Sequence, residues 1–278
     1  MNDEQTAVLH KVQKVELEIL VEFDRICRKN GLKYSLAFGT LIGAVRHNGF
    51  IPWDDDIDIV MPRDDYEKLR SLWISESSPK YLIQDYREDI YYPNNFMKIR
   101  KDNTAYIQGK SEFKANYHTG IFIDIFPMDR LAPKGSKRKK QFFAFVLNLL
   151  YSRGHKSGKK GVFSLVESLL LLPPRKAYLA LRKATENYYR RWNTDSSSQL
   201  ISACTYDFCS MYFDHDLFDS IIELPFEGYN FFCTSKYDEF LRKCYGDYMK
   251  LPPENERVWK HNPQYISFDK NFNHKTID

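Results

Sequence analysis

Four carboxylates fall within five positions of one short segment, Asp54, Asp55, Asp56 and Asp58 in IPWDDDIDIVMP. Asp56-Ile57-Asp58-Ile59 alternates polar and apolar, the pattern of a half-exposed strand. Asp56 and Asp58 therefore project to one face, and Asp54 follows them. Carboxylates held side by side repel unless a proton or a cation lies between them. Mg²⁺ prefers hard oxygen ligands and takes one or two carboxylates together with substrate phosphates. The chemistry suggested is metal-assisted work on a phosphorylated substrate; the bland alternative is a solvated acidic turn capping the next helix. A further carboxylate, Asp124, stands in the apolar run GIFIDIFP. An ionised Asp there is costly to bury without a partner. Either a metal shared with Asp56 and Asp58 or a neighbouring Arg or Lys would supply one.

The segment before the aspartates, SLAFGTLIGAVRH, reads as a strand ending at Gly39-Thr40 and turning into a helix-like piece. Such a junction lets backbone N–H groups and a hydroxyl approach a phosphate, although an ordinary strand–turn–helix has the same look. Arg46 and His47 are then available to offset negative charge on a donor. Lys98 and Arg100 are further candidates for phosphate contact, and surface salt bridges explain such residues as readily.

These side chains need a scaffold. Val8, Val12, Val15, Ile19, Phe23 and Ile26 recur at helical spacing, with Gly31 as a stop. Leu32–Phe38 reads as a strand, Pro62 ends the Asp-rich one, and 64–73 suggests a helix. Further β-like runs are 81–86, 96–101, 104–108 and 121–126. From about residue 134 the pattern becomes helical and basic. Between Arg130 and Lys183 there are 14 Lys or Arg against one acid, Glu167, whereas the rest of the chain is net acidic under an overall charge of +4. The reading is α+β: a mixed β-sheet core with flanking helices and a basic helical insertion. It divides as 1–130 (catalytic core with its N-terminal helix), 131–195 (insertion) and 196–278 (completing the catalytic part and the acceptor site).

The five cysteines, Cys27, Cys204, Cys209, Cys233 and Cys244, contain no CxxC and suggest free buried thiols in a reducing compartment. No secretory signal and no run of about 20 apolar residues is present, so a cytoplasmic enzyme is expected. In 134–176, basic flanks border apolar runs too short to span a bilayer. This segment is either a helical subdomain with a solvated basic face or a peripheral contact with an anionic membrane surface on the inner face of the cell membrane. The basic module also carries charge suited to nucleic acid, but no RNA-binding motif accompanies it, so nucleic acid is not an expected partner.

The run GTLIGAVRHNGFIPWDDDIDI, followed by FMKIRKDNTAY, GIFIDIFPMD and YGDYMKLPP, resembles LicD-type phosphotransferases. That family includes bacterial phosphocholine transferases and, more distantly, the fukutin-related ribitol-phosphate transferases. The resemblance covers roughly 32–129 and returns near 224–261. It implies a nucleotidyltransferase-like fold and a CDP-linked donor held by Gly39, Thr40, Gly43, Arg46, His47, Lys98 and Arg100. It implies Mg²⁺, or Mn²⁺ in its place, on Asp54, Asp56, Asp58 and Asp124. Asp56, Asp58 and Asp124 would be catalytic, Asp124 as metal ligand or as general base. A phosphoryl-alcohol group, phosphocholine or an alditol phosphate, would pass to a hydroxyl of a glycan, a lipid-linked glycan or a teichoic acid precursor. The chain departs from the family in having Cys233-Thr234-Ser235 where relatives often carry Pro, and in lacking the Cys cluster of the animal relatives. Two rival readings keep the same residues: NMP transfer from an NTP to a small acceptor, and a non-catalytic role in glycan assembly.

Overall fold

The computed structural model describes residues 2–109, 112–156, 158, 160–195, 199–203, 205 and 207–272. Cys204 and Lys159 lie outside the described residues. In chain order the elements are α1 (Asp3–Lys29), β1 (Ser35–Leu36), α2 (Phe38–His47), β2 (Asp58–Pro62), α3 (Arg63–Glu76), β3 (Tyr81–Gln84), β4 (Met97–Lys101), β5 (Ala105–Ile107) and β6 (Phe122–Arg130). They continue with α4 (Ser136–Arg153), α5 (Val162–Leu170), α6 (Arg175–Arg190), β7 (Leu200–Ala203), β8 (Phe213–Asp214), β9 (Ile221–Phe226), β10 (Tyr229–Thr234), α7 (Tyr237–Tyr245) and β11 (Tyr265–Ser267). No described helix is long and apolar enough to cross a membrane. The architecture is α+β.

The chain folds into two units. The first comprises Met1–Gln84, Met97–Pro127 and Asp216–Asp278, and the second Asp85–Phe96 and Met128–His215. Thus 85–96 and 196–215 fall with the basic helices, whereas the sequence assigns them to the catalytic segments.

In the first unit the strands lie in the order β1-β2-β6-β4-β3. β3, β4 and β6 pair antiparallel, with Lys98 opposite Asp124. α1 begins at a capping box: the Asn2 side chain accepts from the Gln5 N–H, and the Gln5 side chain accepts from the Asn2 N–H. Its helically spaced apolar residues Leu9, Val12, Ile19, Leu20, Phe23 and Ile26 are fully buried, and the Phe23 ring meets Tyr34 edge-on at 4.9 Å.

Two strands are shorter than the sequence predicts. Phe38 adopts φ +47° and starts α2, so β1 ends at Leu36. Its register partners are Ile59 and Val60 of β2, the Ala37 N–H donates to the Asp58 carbonyl at 2.9 Å, and β2 begins at Asp58, not at Asp56. Below it, β9 and β10 form a hairpin whose two-residue turn, Glu227-Gly228, has φ of +51° and +81°, the conformation that suits the twist of paired strands.

In the second unit, the end of β6 pairs with β7, and β7 with β8. α4 and α6 enclose a core of Leu131, Ala144, Phe145, Tyr189 and Phe208. Arg182 is buried on α6 and donates to the carbonyls of Tyr92 (2.7 Å) and Asn94 (2.8 Å). The Tyr86 hydroxyl hydrogen-bonds Glu186.

Candidate active site

The aspartate segment is held by contacts that lie far away in the chain. α2 ends in a left-handed Asn48 (φ +55°), which turns the chain back across the helix. Gly43 permits that return: a Cβ there would stand 2.4 Å from the Gly49 carbonyl oxygen. The tip of the β9–β10 hairpin then fastens the loop, since the Glu227 N–H donates to the Asn48 carbonyl (3.0 Å) and the Glu227 carboxylate accepts from the Phe50 N–H (3.0 Å). From α1, the Gln13 side-chain amide donates to the Asp54 carbonyl at 2.8 Å. The loop thus enters Asp54–Asp58 clamped on both sides.

The strand-like alternation extends back to Asp54, although β2 itself begins at Asp58. Asp54, Asp56 and Asp58 are half-buried on one side, and Asp55 and Ile57 are buried on the other. The Asp54 carboxylate lies over the first turn of α2, where a Cβ on Gly39 would come within 2.6 Å of its Oδ2. Thr40 is buried, and its hydroxyl accepts from the Asp58 N–H at 2.8 Å. Thr40 therefore fixes Asp58 to the start of α2, a task the sequence did not suggest. Phe38 holds its left-handed conformation, which costs an L-residue roughly 1–2 kcal/mol, against the rings of Phe126 and Phe240 at 5.8 and 5.5 Å. Backbone strain held by its surroundings is characteristic of functional turns.

Asp124 joins this group from β6, its N–H donating to the Ile57 carbonyl at 2.8 Å. Its partner is Lys98, whose Nζ donates to Asp124 Oδ1 at 2.6 Å. The register of β4 on β6 sets these residues opposite each other. Lys98 also lies 3.3 Å above the centre of the Phe122 ring, and burial holds its pKa below the ordinary lysine value.

The electrostatics follow from crowding. Burial first, and Asp56 next, push the Asp54 carboxyl up to about 7. Burial raises Asp56 to about 6, with His261 opposing the rise. Asp58 is held well above the carboxylate range by burial and then by Asp56 and Asp124. These half-buried oxygens are under-neutralised, and they are the hard donors Mg²⁺ prefers. Among the described residues no three His, Cys, Asp or Glu side chains form a ready cage for an ion. The residues that would hold a Mg²⁺ ion are Asp56 and Asp58, with Asp54 and Asp124 close enough to act on Asp58.

Of the remaining sequence candidates, Arg100 lies over the same Phe122 ring as Lys98, at 4.9 Å. Arg46 and His47 occupy the far end of α2, about 10 Å along the axis from Gly39 at 1.5 Å per residue. The Arg46 guanidinium donates to the Tyr248 carbonyl (2.7 Å) and to His47 Nε2 (3.0 Å). Arg100 is buried in the sheet, donating to Gln84 Oε1 and to the Gly120 carbonyl, each at 2.6 Å. Gly43 serves the close return of the loop described above.

Three participants escaped the sequence reading. Asp55, taken there as one more member of the acidic run, points into the protein, where it accepts from the Tyr106 hydroxyl and pairs with His261 Nδ1 at 2.9 Å. The same imidazole nitrogen is 3.8 Å from Asp56 Oδ2. The hydrogen bond to Asp55 raises His261 to about 9, which makes it an imidazolium beside the aspartates. Glu16 of α1 is buried close by, and burial, reinforced by Asp56, raises it well above the carboxylate range. Polar positions inside an otherwise apolar helix stripe, Gln13 and Glu16, were the available signal for α1. His261 lies 206 residues from Asp55, and nothing local announces it.

A mixed sheet carrying carboxylates on adjacent strands, next to a strained turn into a helix N-terminus, defines a nucleotidyltransferase-type core. The comparisons agree. Residues 31–148 match a family described as "LicD/FKTN/FKRP, nucleotidyltransferase domain". The lipopolysaccharide cholinephosphotransferase LicD of Haemophilus influenzae is 30% identical over 271 residues, covering 91% of this chain and 96% of that protein. Shorter matches join 20% of the chain to an uncharacterized protein of Rickettsia prowazekii (40% identical over 55 residues, 21% of that protein) and 17% to one of Rickettsia typhi (44% over 48 residues, 16%). The chain belongs to the LicD family.

Proposed function

We propose that this chain transfers a phosphocholine-type group from a CDP-linked donor to a glycan hydroxyl, with Mg²⁺. The observation that carries the proposal is the crowding of Asp54, Asp56 and Asp124 around Asp58, with Asp54 and Asp58 at the first turn of α2, in a chain alignable over nearly its whole length with a cholinephosphotransferase. Asp56 and Asp58 would hold the ion. When bound, Mg²⁺ would neutralise negative charge on the donor pyrophosphate and on the departing CMP.

The chain's own groups supply the rest. The first turn of α2 has no side-chain cap, so its amides can receive a phosphate oxygen beside the Asp54 carboxylate that Gly39 makes room for. The His261 imidazolium, held by Asp55, offsets charge next to Asp56. The acceptor hydroxyl forms a bond to the distal phosphorus as the bond from that phosphorus to CMP breaks. Asp124 is a carboxylate that can take the hydroxyl proton or complete the metal site, and Lys98 fixes its orientation in either role.

The test is CMP release, with Mg²⁺ and a glycan acceptor, from CDP-choline, CDP-ribitol and CDP-glycerol, with Asp56→Ala as control. Release from one donor, reduced on the order of a thousandfold in the variant, is expected. Pyrophosphate release from CTP would instead favour NMP transfer. A folded protein that binds no nucleotide at all would overturn the proposal.

A further inference from the structure

Helix α5 is built inside out. Its sequence VFSLVESLL places Val162, Phe163, Leu165, Val166 and Leu169 on one half of the helix surface, joined by Leu172 just beyond its end. Ser164, Glu167 and Ser168 lie on the other half. In a helix folded for water the apolar half faces the protein. Here the reverse holds: those six apolar side chains are between 47% and 75% exposed, and no residue of α5 is buried. The polar half is the less exposed one, and from it Glu167 reaches Arg153 of α4 at 3.7 Å. Phe142, Phe143 and Val146 of α4, in the same unit, are also exposed.

The charge around this surface has one sign. Lys156 and Lys160 precede the helix, and Arg175 and Lys176 follow it, all exposed. Glu167 is the sole acid between Arg130 and Lys183, and it faces Arg153. A row of apolar side chains bordered by cations complements a surface whose outer layer is anionic and whose inner layer is hydrocarbon. A second copy of this chain would bring the same positive charges against these. A nine-residue helix, about 14 Å long, also falls well short of the roughly 800 Å² per partner that a stable protein interface buries.

We propose that α5 and its basic borders form a docking surface for an anionic lipid bilayer, α5 lying in the plane of the interface with its apolar half in the acyl region. This surface is independent of the aspartate site, so each can fail without the other.

The experiment is flotation of the full chain with vesicles of phosphatidylcholine alone and of phosphatidylcholine with 30% phosphatidylglycerol. The variants are Phe163→Ser/Leu165→Ser/Leu169→Ser and Lys156→Glu/Lys160→Glu. The wild type is expected to float with the anionic vesicles and to be released by high salt. The triple variant should bind on the order of a hundredfold more weakly, and the double charge reversal at least tenfold more weakly. All substituted side chains are exposed, so both variants should keep the wild-type melting temperature. Absence of wild-type binding to the anionic vesicles, or binding untouched by the triple variant, would overturn the proposal. So would a concentration-dependent dimer that the triple variant abolishes.

Discussion

Replacing Gly39 by Ala separates the geometry of the site from the stability of the fold. The added Cβ would stand 2.6 Å from Asp54 Oδ2, and ordinary van der Waals contact begins at 3.4 Å. The carboxylate must therefore retreat by about 0.8 Å, and a misplacement of that order at a reacting centre costs up to about a hundredfold in rate. Stability should scarcely fall. The clashing atom ends a side chain that can rotate, Gly39 has no left-handed backbone to lose, and Ala is the better helix former by up to about 1 kcal/mol. Expected are a melting temperature equal to or above that of the wild type and CMP release lowered between tenfold and a hundredfold. Gly43→Ala is the contrast. There the obstacle is the Gly49 backbone carbonyl at 2.4 Å, which cannot swing away, so a stability loss of about 1–3 kcal/mol is expected. Calorimetry and single-turnover CMP release on both variants decide the matter. A Gly39→Ala protein with wild-type turnover would refute the idea that the Asp54 position over α2 matters to the chemistry.

Three further outcomes follow from the same structure. The crowded aspartates, raised above their unfolded values near 4, retain protons in the folded chain, so their contribution to stability falls as pH rises through about 4 to 7. MgCl₂ should accordingly raise the melting temperature at pH 7.5, have little effect at pH 4.5, and lose its effect in Asp56→Ala. His261, raised from 6.5 to about 9, contributes stability that is complete below about 6.5 and lost as pH climbs through 9. A steeper fall in melting temperature over that window for wild type than for His261→Gln checks it. In the second unit, Arg182→Met strips donors from the Tyr92 and Asn94 carbonyls. At roughly 1–3 kcal/mol per orphaned group, urea denaturation should show a loss of about 3 kcal/mol or more.

Local pattern was enough for much of this protein. The α1 stripe, the four β-like runs and the basic helices are written in nearest-neighbour chemistry, where helical or alternating spacing decides which side chains can be buried together. The same holds for the Asp56–Asp58 pair, whose shared face needs only the alternation of an extended backbone. Asp124 was legible as a carboxylate needing a partner, but only the register of β4 on β6 decided that Lys98 is at hand.

What remained was fixed by contacts between segments far apart in the chain. Asp55 and its neighbours look alike in the sequence, yet packing turns Asp55 toward Tyr106 and His261 and leaves the others half-buried on the opposite side. Gly39 and Gly43 are both glycines of one helix, but a carboxylate crowds one and a backbone carbonyl the other. Arg46 and His47 follow Gly39-Thr40 closely in sequence, and the rise of the helix sets them about 10 Å further along its axis, where Arg46 meets the Tyr248 carbonyl. On α5 the sequence shows two faces, and only tertiary packing determines which one meets the protein. The physical reason is common to all four: residue spacing sets the direction of a side chain relative to its own element, and the packing of that element sets what the side chain meets.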